Sequence, residues 1–164
     1  LGGELDIAES LYRTCASTDA SYVTPAALGL ARVRAARSDL PGSLAALELV
    51  PNTSRGYPES QRLKVQHLVT LASDPRGLDE AFTAIGPARL DPQTQAQYGA
   101  LLYRRAVGLA GTGSLRLGGE TLTVPMLRDR LAQTYRELGR LADDPAERAG
   151  YIDVANSLRP WSLL

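Results

Sequence analysis

The chain has 164 residues, of which 44% are hydrophobic and 22% are charged, a composition that excludes extensive disorder. Its 18 basic residues balance 18 acidic residues, so no net charge attracts nucleic acid or an anionic membrane. No apolar run approaches the roughly 20 residues of a membrane-spanning helix. We therefore expect neither nucleic acid nor membrane as a partner.

The single cysteine, Cys15, cannot form an internal disulfide, which favours a reducing compartment. The chain begins at Leu1 without a methionine, so we expect residues 1–164 to be one domain cut from a longer protein.

Prolines predict where the helices begin. Proline suits the first helical position, because its missing N–H would be unpaired there. Five prolines of the chain follow a side chain that is able to cap a helix. The capping residues are Thr24, Asp74, Asp91, Thr123 and Asp144, and the prolines are Pro25, Pro75, Pro92, Pro125 and Pro145.

The spacing of the prolines predicts a repeat. Pro25, Pro58, Pro92 and Pro125 follow one another at intervals of 33, 34 and 33 residues. Pro41 and Pro75 lie near the midpoints of the first two intervals. Helix starts about every 17 residues, with a pair period of 34, are typical of tetratricopeptide arrays. The sequence thus predicts an all-α fold, an α-α superhelix of tetratricopeptide type.

About eight helices are predicted, and most carry an apolar stripe of helical period. Their ranges are 4–18, 25–37, 41–49, 58–73, 77–85, 92–110, 125–142 and 145–158. The stripes are Leu5, Ala8, Tyr12 and Cys15; Val65, Leu68, Val69 and Ala72; Leu127, Leu131, Tyr135, Leu138 and Ala142; and Tyr151, Val154, Ala155 and Leu158. The residues ten positions after the repeat prolines, Ala35, Leu68, Leu102 and Tyr135, also suit a core. The helix from Pro92 carries small residues that allow close helix packing.

A glycine-rich insertion, predicted as irregular near residues 111–123, interrupts the repeat where a helix should begin near residue 108 or 109. Residues 115–117 and 121–123 could form a hairpin around Gly118-Gly119, since such a turn needs positive φ angles. Alternatively, the leucines cap the edge of the preceding helix pair. A phosphate-binding loop is excluded, because no lysine followed by Ser or Thr closes the segment.

No residue is assigned a catalytic, cofactor-binding or metal-binding role. His67 is the only histidine, and it lies beside a predicted core stripe, so we interpret it as structural. Cys15 closes the first stripe and is interpreted as a buried small apolar residue. The acidic pairs Asp79-Glu80 and Asp143-Asp144 lie at helix ends, where the helix dipole explains them.

Two further features have surface interpretations. Four arginines along the helix from Pro125 predict a solvated face, with docking of an acidic partner as the alternative. They are Arg128, Arg130, Arg136 and Arg140. Trp161, the only tryptophan, is predicted to seal the last helix pair, with contact to a partner subunit as the alternative.

Three segments carry a resemblance to a known family. The tail GYIDVANSLRP, residues 150–160, resembles the closing motif of the actinobacterial protein kinase G family. The segments SYVTPAALGLARVR, residues 21–34, and LELVPNTSRGYPESQRL, residues 47–63, resemble its tetratricopeptide domain in order and spacing. The resemblance spans nearly the whole chain.

This resemblance implies that the chain is the C-terminal tetratricopeptide domain of a cytoplasmic Ser/Thr protein kinase. It implies dimerisation, bracing of the kinase domain and contact with substrate proteins. The chain lacks the nucleotide-binding and catalytic motifs of kinases, so ATP and magnesium are expected only for the parent protein.

A second hypothesis keeps the fold and changes the role. In this hypothesis the chain is a sensor of peptides or small ligands in a bacterial regulator, with a deep pocket lined by Tyr98, Tyr103, Arg104 and Arg105.

Overall fold

The structure is a computed structural model that describes residues 2–18 and 20–158. Within these ranges it contains eight helices and one antiparallel hairpin, which confirms the all-α, tetratricopeptide-like helical repeat. The elements are α1 (Gly2–Thr18), α2 (Ala20–Ala36), α3 (Leu40–Leu47), α4 (Tyr57–Leu71), α5 (Pro75–Ile85), α6 (Pro92–Ala110), β1 (Ser114–Leu117), β2 (Glu120–Thr123), α7 (Val124–Leu141) and α8 (Pro145–Ser157). Trp161 lies outside the described residues.

Aspartate caps begin four of the helices. The Asp74 carboxylate accepts a hydrogen bond from the Gly77 amide at 2.8 Å, and Asp91 accepts one from Thr94 at 2.9 Å. Asp144 caps α8 in the same way, as predicted. Asp39, which was not among the predicted caps, begins α3. Each cap pairs an amide that the first turn leaves open.

The predicted helix start at Pro25 is wrong. Helix α2 begins at Ala20, so Pro25 lies inside it. The hydroxyl of Thr24 donates to Ser54 Oγ at 2.8 Å, and this tertiary contact replaces the predicted cap. Thr123 stands at the N-cap position of α7, but its side chain makes no capping hydrogen bond.

The chain divides into two compact units, Leu1–His67 and Leu68–Leu164. In the first unit, α2 packs against α1 and α3. Its core is a cluster from α2, α3 and the residues just after α3, covered by three larger side chains. The cluster is Ala27, Leu28, Leu30, Ala31, Ala46, Leu47 and Val50, and the covering residues are Tyr12, Tyr57 and Leu63.

Helix α1 packs more loosely than its stripe predicts. Leu5, Ala8 and Tyr12 are only half-buried, and Cys15 is exposed. The prediction of a buried Cys15 is therefore wrong, because the contact of α1 with α2 covers Tyr12 but does not cover Cys15, one turn later. At the contact, a Cβ on Gly29 would lie 2.4 Å from the Tyr12 ring, so glycine admits that ring. Ala35 is also only half-buried.

The second unit is built around α6 and α7, which pack against each other, with α5 on α6 and α8 on α7. The predicted stripe of α7 is entirely buried, as is the stripe of α4 that ends in this unit. In α8, Ala155 is buried but Val154 is exposed, so that part of the fourth stripe is wrong. Small α6 residues Ala96 and Ala100 join Leu131 and Tyr135 in the core, which confirms close helix packing.

The insertion forms a regular hairpin, contrary to the prediction of an irregular segment. Ser114 pairs with Thr123 and Leu117 pairs with Glu120, around a turn in which Gly118 and Gly119 have positive φ. Leu115, Leu117 and Leu122 are buried. Strand β1 contacts α5 and α6, and β2 contacts α7. Both alternatives left open by the sequence thus hold, since the hairpin forms and its leucines also cover the helices.

No helix in the described ranges is both long enough and apolar enough to cross a membrane.

Candidate functional site

A groove of about 840 Å³ in the second unit is a candidate binding site. It is bounded by α5, α6, the hairpin turn and α7. Its volume lies within the range of about 300–1,000 Å³ that small-molecule sites occupy. The two long walls of the groove differ in chemistry.

One wall and the floor are mainly apolar. Phe82 and Ile85 of α5 form the wall, and Ala96 and Gly99 of α6 lie along the floor. Gly99 carries no side chain, and a Cβ added there would have a Thr134 methyl as its nearest neighbour, at 3.6 Å. The small residues of α6 therefore give the groove its depth.

The opposite wall is a polar stripe on α7. Arg130, Gln133, Glu137 and Arg140 follow one another at helical spacing and all line the groove. Arg130 forms an ion pair with Glu120 of the hairpin at 3.5 Å. Arg140 pairs with Glu137, three residues earlier on the same helix. Both ion pairs lie in solvent, where such pairs contribute little to stability.

An aromatic corner closes the groove beside the hairpin. The Phe82 and Tyr103 rings meet edge to face with centroids 5.2 Å apart. Gly118 touches Phe82, and Asp79 accepts a hydrogen bond from the Gly119 amide at 3.4 Å. Burial raises the pKa of Tyr103, because the charged phenolate would lose hydration. The corner is thus an apolar pocket with a polar rim.

The structure places only one member of the predicted ligand set, Tyr103, in the groove. Arg104 lies over the Tyr135 ring, with its guanidinium carbon 5.7 Å from the centroid, and donates to the Tyr135 hydroxyl. Arg105 donates to the carbonyls of Val69 and Ala72, the latter at 2.9 Å. Tyr98 does not line the groove. The predicted pocket residues are therefore wrong apart from Tyr103, because neighbouring positions on a helix point in different directions.

Phe82, Gln133 and Glu137 are groove residues that the sequence did not indicate. Phe82 is the only phenylalanine, but that fact alone does not place it beside the hairpin. The four α7 arginines are predicted to lie on a solvated face, and Arg128, Arg130 and Arg140 are indeed exposed. Arg136 is half-buried instead, and its Nη2 has no hydrogen-bond partner among the described residues.

His67 is buried, with 7% of its surface exposed, in agreement with a structural interpretation. Burial lowers its pKa, because the charged imidazolium loses hydration. Residues 2–18 and 20–158 contain no group of three or more His, Cys, Asp or Glu side chains that could hold a metal ion.

A second exposed surface lies in the first unit, on the outer side of α1. Ile7 is 65% exposed and Leu11, one turn later, is 61% exposed. Large apolar residues that share a helix face in solvent are typical of contact surfaces. We call this pair the α1 face.

Comparison with protein families identifies the chain. The family model described as the protein kinase G tetratricopeptide repeat matches residues 1–162. The match covers nearly the whole sequence, so the chain belongs to this family. Tetratricopeptide domains are non-catalytic repeat modules that mediate contact between proteins.

Proposed function

We propose that this protein kinase G tetratricopeptide repeat domain is the interaction module of a bacterial Ser/Thr protein kinase. In this proposal it holds two copies of the kinase together, braces the kinase domain and offers a surface to substrate proteins. The parent chain supplies the ATP and magnesium sites and the phosphotransfer activity, and this domain binds neither. Its location is the cytoplasm.

The α1 face is the observation that carries the proposal. Burying Ile7 and Leu11 fully on a partner would contribute roughly 1–3 kcal/mol each, which is enough to favour association of an otherwise polar helix. The family match supports the link to a kinase, because the family is named for that protein. The balanced charge of the chain also fits a protein partner better than a polyanion.

Sedimentation velocity at increasing concentration tests self-association. We expect the chain to dimerise, and the double variant Ile7→Glu/Leu11→Glu to sediment as a monomer, because two carboxylates cannot be buried in an apolar contact. Leu49 is also exposed but lies after α3, so Leu49→Glu is the matched control and should leave the dimer intact.

The link to a kinase is tested separately, by binding of the chain to the kinase domain encoded in the same reading frame. Calorimetric titration should show saturable binding. A chain that stays monomeric at high concentration and also fails to bind that kinase domain contradicts the proposal.

The groove in the second unit favours a second candidate function, a sensor of peptides or small ligands in a bacterial regulator. Its volume of about 840 Å³ would accept such a ligand. Thermal shifts with a panel of metabolites and peptides test this role. If none of these ligands shifts the melting temperature, the sensor role is contradicted.

A further inference from the structure

The groove differs from a simple apolar cleft, because its α7 wall presents charge while its α5 wall does not. We propose that it binds an extended segment of a partner protein that carries two acidic side chains four residues apart, with apolar side chains between them. This inference rests on the interaction role proposed above and names the chemistry of the partner.

The length of the charged wall determines the spacing of the acidic groups. Arg130 and Arg140 are ten residues apart on one helix, a distance of about 15 Å along its axis. An extended chain advances about 3.3 Å per residue, so positions one and five of a peptide are about 13 Å apart. Side chains at positions one, three and five share one face of an extended chain. That face can therefore meet both arginines.

The exposure and incomplete pairing of Arg130 and Arg140 favour carboxylates as their ligands. Arg130 is 48% exposed and uses one nitrogen in its 3.5 Å ion pair, and Arg140 is 74% exposed. Guanidinium groups bind carboxylates through two parallel hydrogen bonds, which neither internal ion pair is shown to provide. A carboxylate from a partner can therefore replace the internal ion pairs at small cost.

The opposite wall explains why the ligand is a peptide and not a small anion. A free anion at Arg130 or Arg140 would leave the half-buried ring of Phe82 uncovered. An extended peptide turns its second and fourth side chains away from α7 and toward the α5 wall, where Phe82 is the partly exposed apolar residue. Apolar side chains at those positions would bury surface on both partners.

Glu137 gives the proposal a test of charge sign. It lines the same wall between Gln133 and Arg140 and holds Arg140 by an ion pair. Its carboxylate repels an acidic ligand and competes with that ligand for Arg140. Removing this charge should therefore strengthen binding, whereas removing either arginine should weaken it.

Fluorescence anisotropy with labelled synthetic peptides provides the measurement. One peptide pool has Asp or Glu at positions one and five, Leu, Ile or Phe at positions two and four, and Ser or Thr at position three. A second pool has lysine at positions one and five. We expect the acidic pool to bind the 164-residue chain at least about tenfold more tightly, with an affinity that falls as salt is added.

Four single variants complete the experiment. Arg130→Gln and Arg140→Gln should each weaken binding of the acidic pool about fivefold, and Glu137→Gln should strengthen it about threefold. Arg128→Gln is the control, because Arg128 is exposed on the same helix but does not line the groove, and it should have no effect. Thermal melts verify that each variant is folded.

The proposal is overturned if the two pools bind equally, if the acidic pool shows no saturable binding at about 1 mM, or if Arg128→Gln weakens binding as much as the groove variants. Displacement of the peptide by an equal concentration of inorganic phosphate would indicate a simple anion site and also overturn it. Self-association through the α1 face is measured separately. If the dimer persists while acidic peptides do not bind, this inference fails and the proposed function stands.

Discussion

Gly118 lies directly against the ring of Phe82, so closely that a Cβ at this glycine would be 2.9 Å from the ring. The contact joins the hairpin turn to α5 and forms one side of the aromatic corner. Gly118 also has a φ of +60°, a conformation that side chains disfavour. Both features require glycine at this position.

Gly118→Ala should therefore destabilise the chain by about 2–3 kcal/mol, through backbone strain and overpacking together. Gly119→Ala is the matched control. Gly119 also has a positive φ, of +83°, but nothing lies within 4 Å of its Cβ position, so we expect a loss of only about 1 kcal/mol. Urea denaturation measures both changes. Equal losses would show that the contact with Phe82 contributes nothing.

The contact between Tyr12 and Gly29 leads to a second prediction. The effect of Gly29→Ala on stability should change sign when the Tyr12 ring is removed. Gly29→Ala should destabilise the first unit by about 1–3 kcal/mol, because the new methyl group displaces the Tyr12 ring. In a Tyr12→Ala background the same change should stabilise by about 0.5–1 kcal/mol, since alanine favours a helix more than glycine. A double-mutant cycle by chemical denaturation measures the coupling. Additive effects would contradict this packing.

Arg105 caps the end of α4 by donating to two carbonyls from a position 33 residues beyond Ala72. Arg105→Met keeps the length of the side chain but removes its donors. We expect a loss of about 1–2 kcal/mol in the free energy of unfolding, typical of hydrogen bonds from a charged group. Arg128→Met, at an exposed position, is the control and should change stability by less than about 0.5 kcal/mol. Thermal denaturation and urea denaturation both measure the stability of the two variants.

The lowered pKa of His67 predicts a dependence of stability on pH. The unfolded chain takes up a proton near the ordinary value of 6.5, whereas buried His67 resists protonation until a lower pH. Below 6.5 the unfolded state binds more protons, so this contribution to stability is fully present above that pH and falls as the pH decreases toward the folded pKa.

The variant His67→Gln removes the titrating group. Its melting temperature should vary less than that of the wild type between about pH 7 and pH 5, the range in which the unfolded chain gains its proton. If the melting temperatures of the two proteins change with pH in parallel over this range, burial of His67 does not control the pH dependence of stability.

The sequence predicts most helix starts because the signals for them are local. Asp74, Asp91 and Asp144 each lie beside the proline whose helix they cap, so no distant contact is needed to identify them. Thr24 has the same local pattern, but its hydroxyl bonds to Ser54, thirty residues away. Only the folded structure reveals that partner.

The groove cannot be predicted from local patterns, because its walls come from segments that are distant in the sequence. Phe82, Gly118 and Arg130 belong to three different elements, and nothing local to each one indicates the others. Arg104 and Arg105 resemble ligand-binding residues because they are adjacent and charged. Successive helix positions are turned by about 100°, so these two side chains reach Tyr135 and the end of α4 instead of the groove.

The cap that Arg105 places on α4 has a consequence for the order in which the chain can fold. The last turn of α4 depends on a side chain that a ribosome synthesises more than thirty residues later. A nascent chain that ends before α6 has no such donor, so water must satisfy the carbonyls of Val69 and Ala72. During synthesis, the final turn of α4 therefore gains this stabilisation only after Arg105 of α6 has emerged.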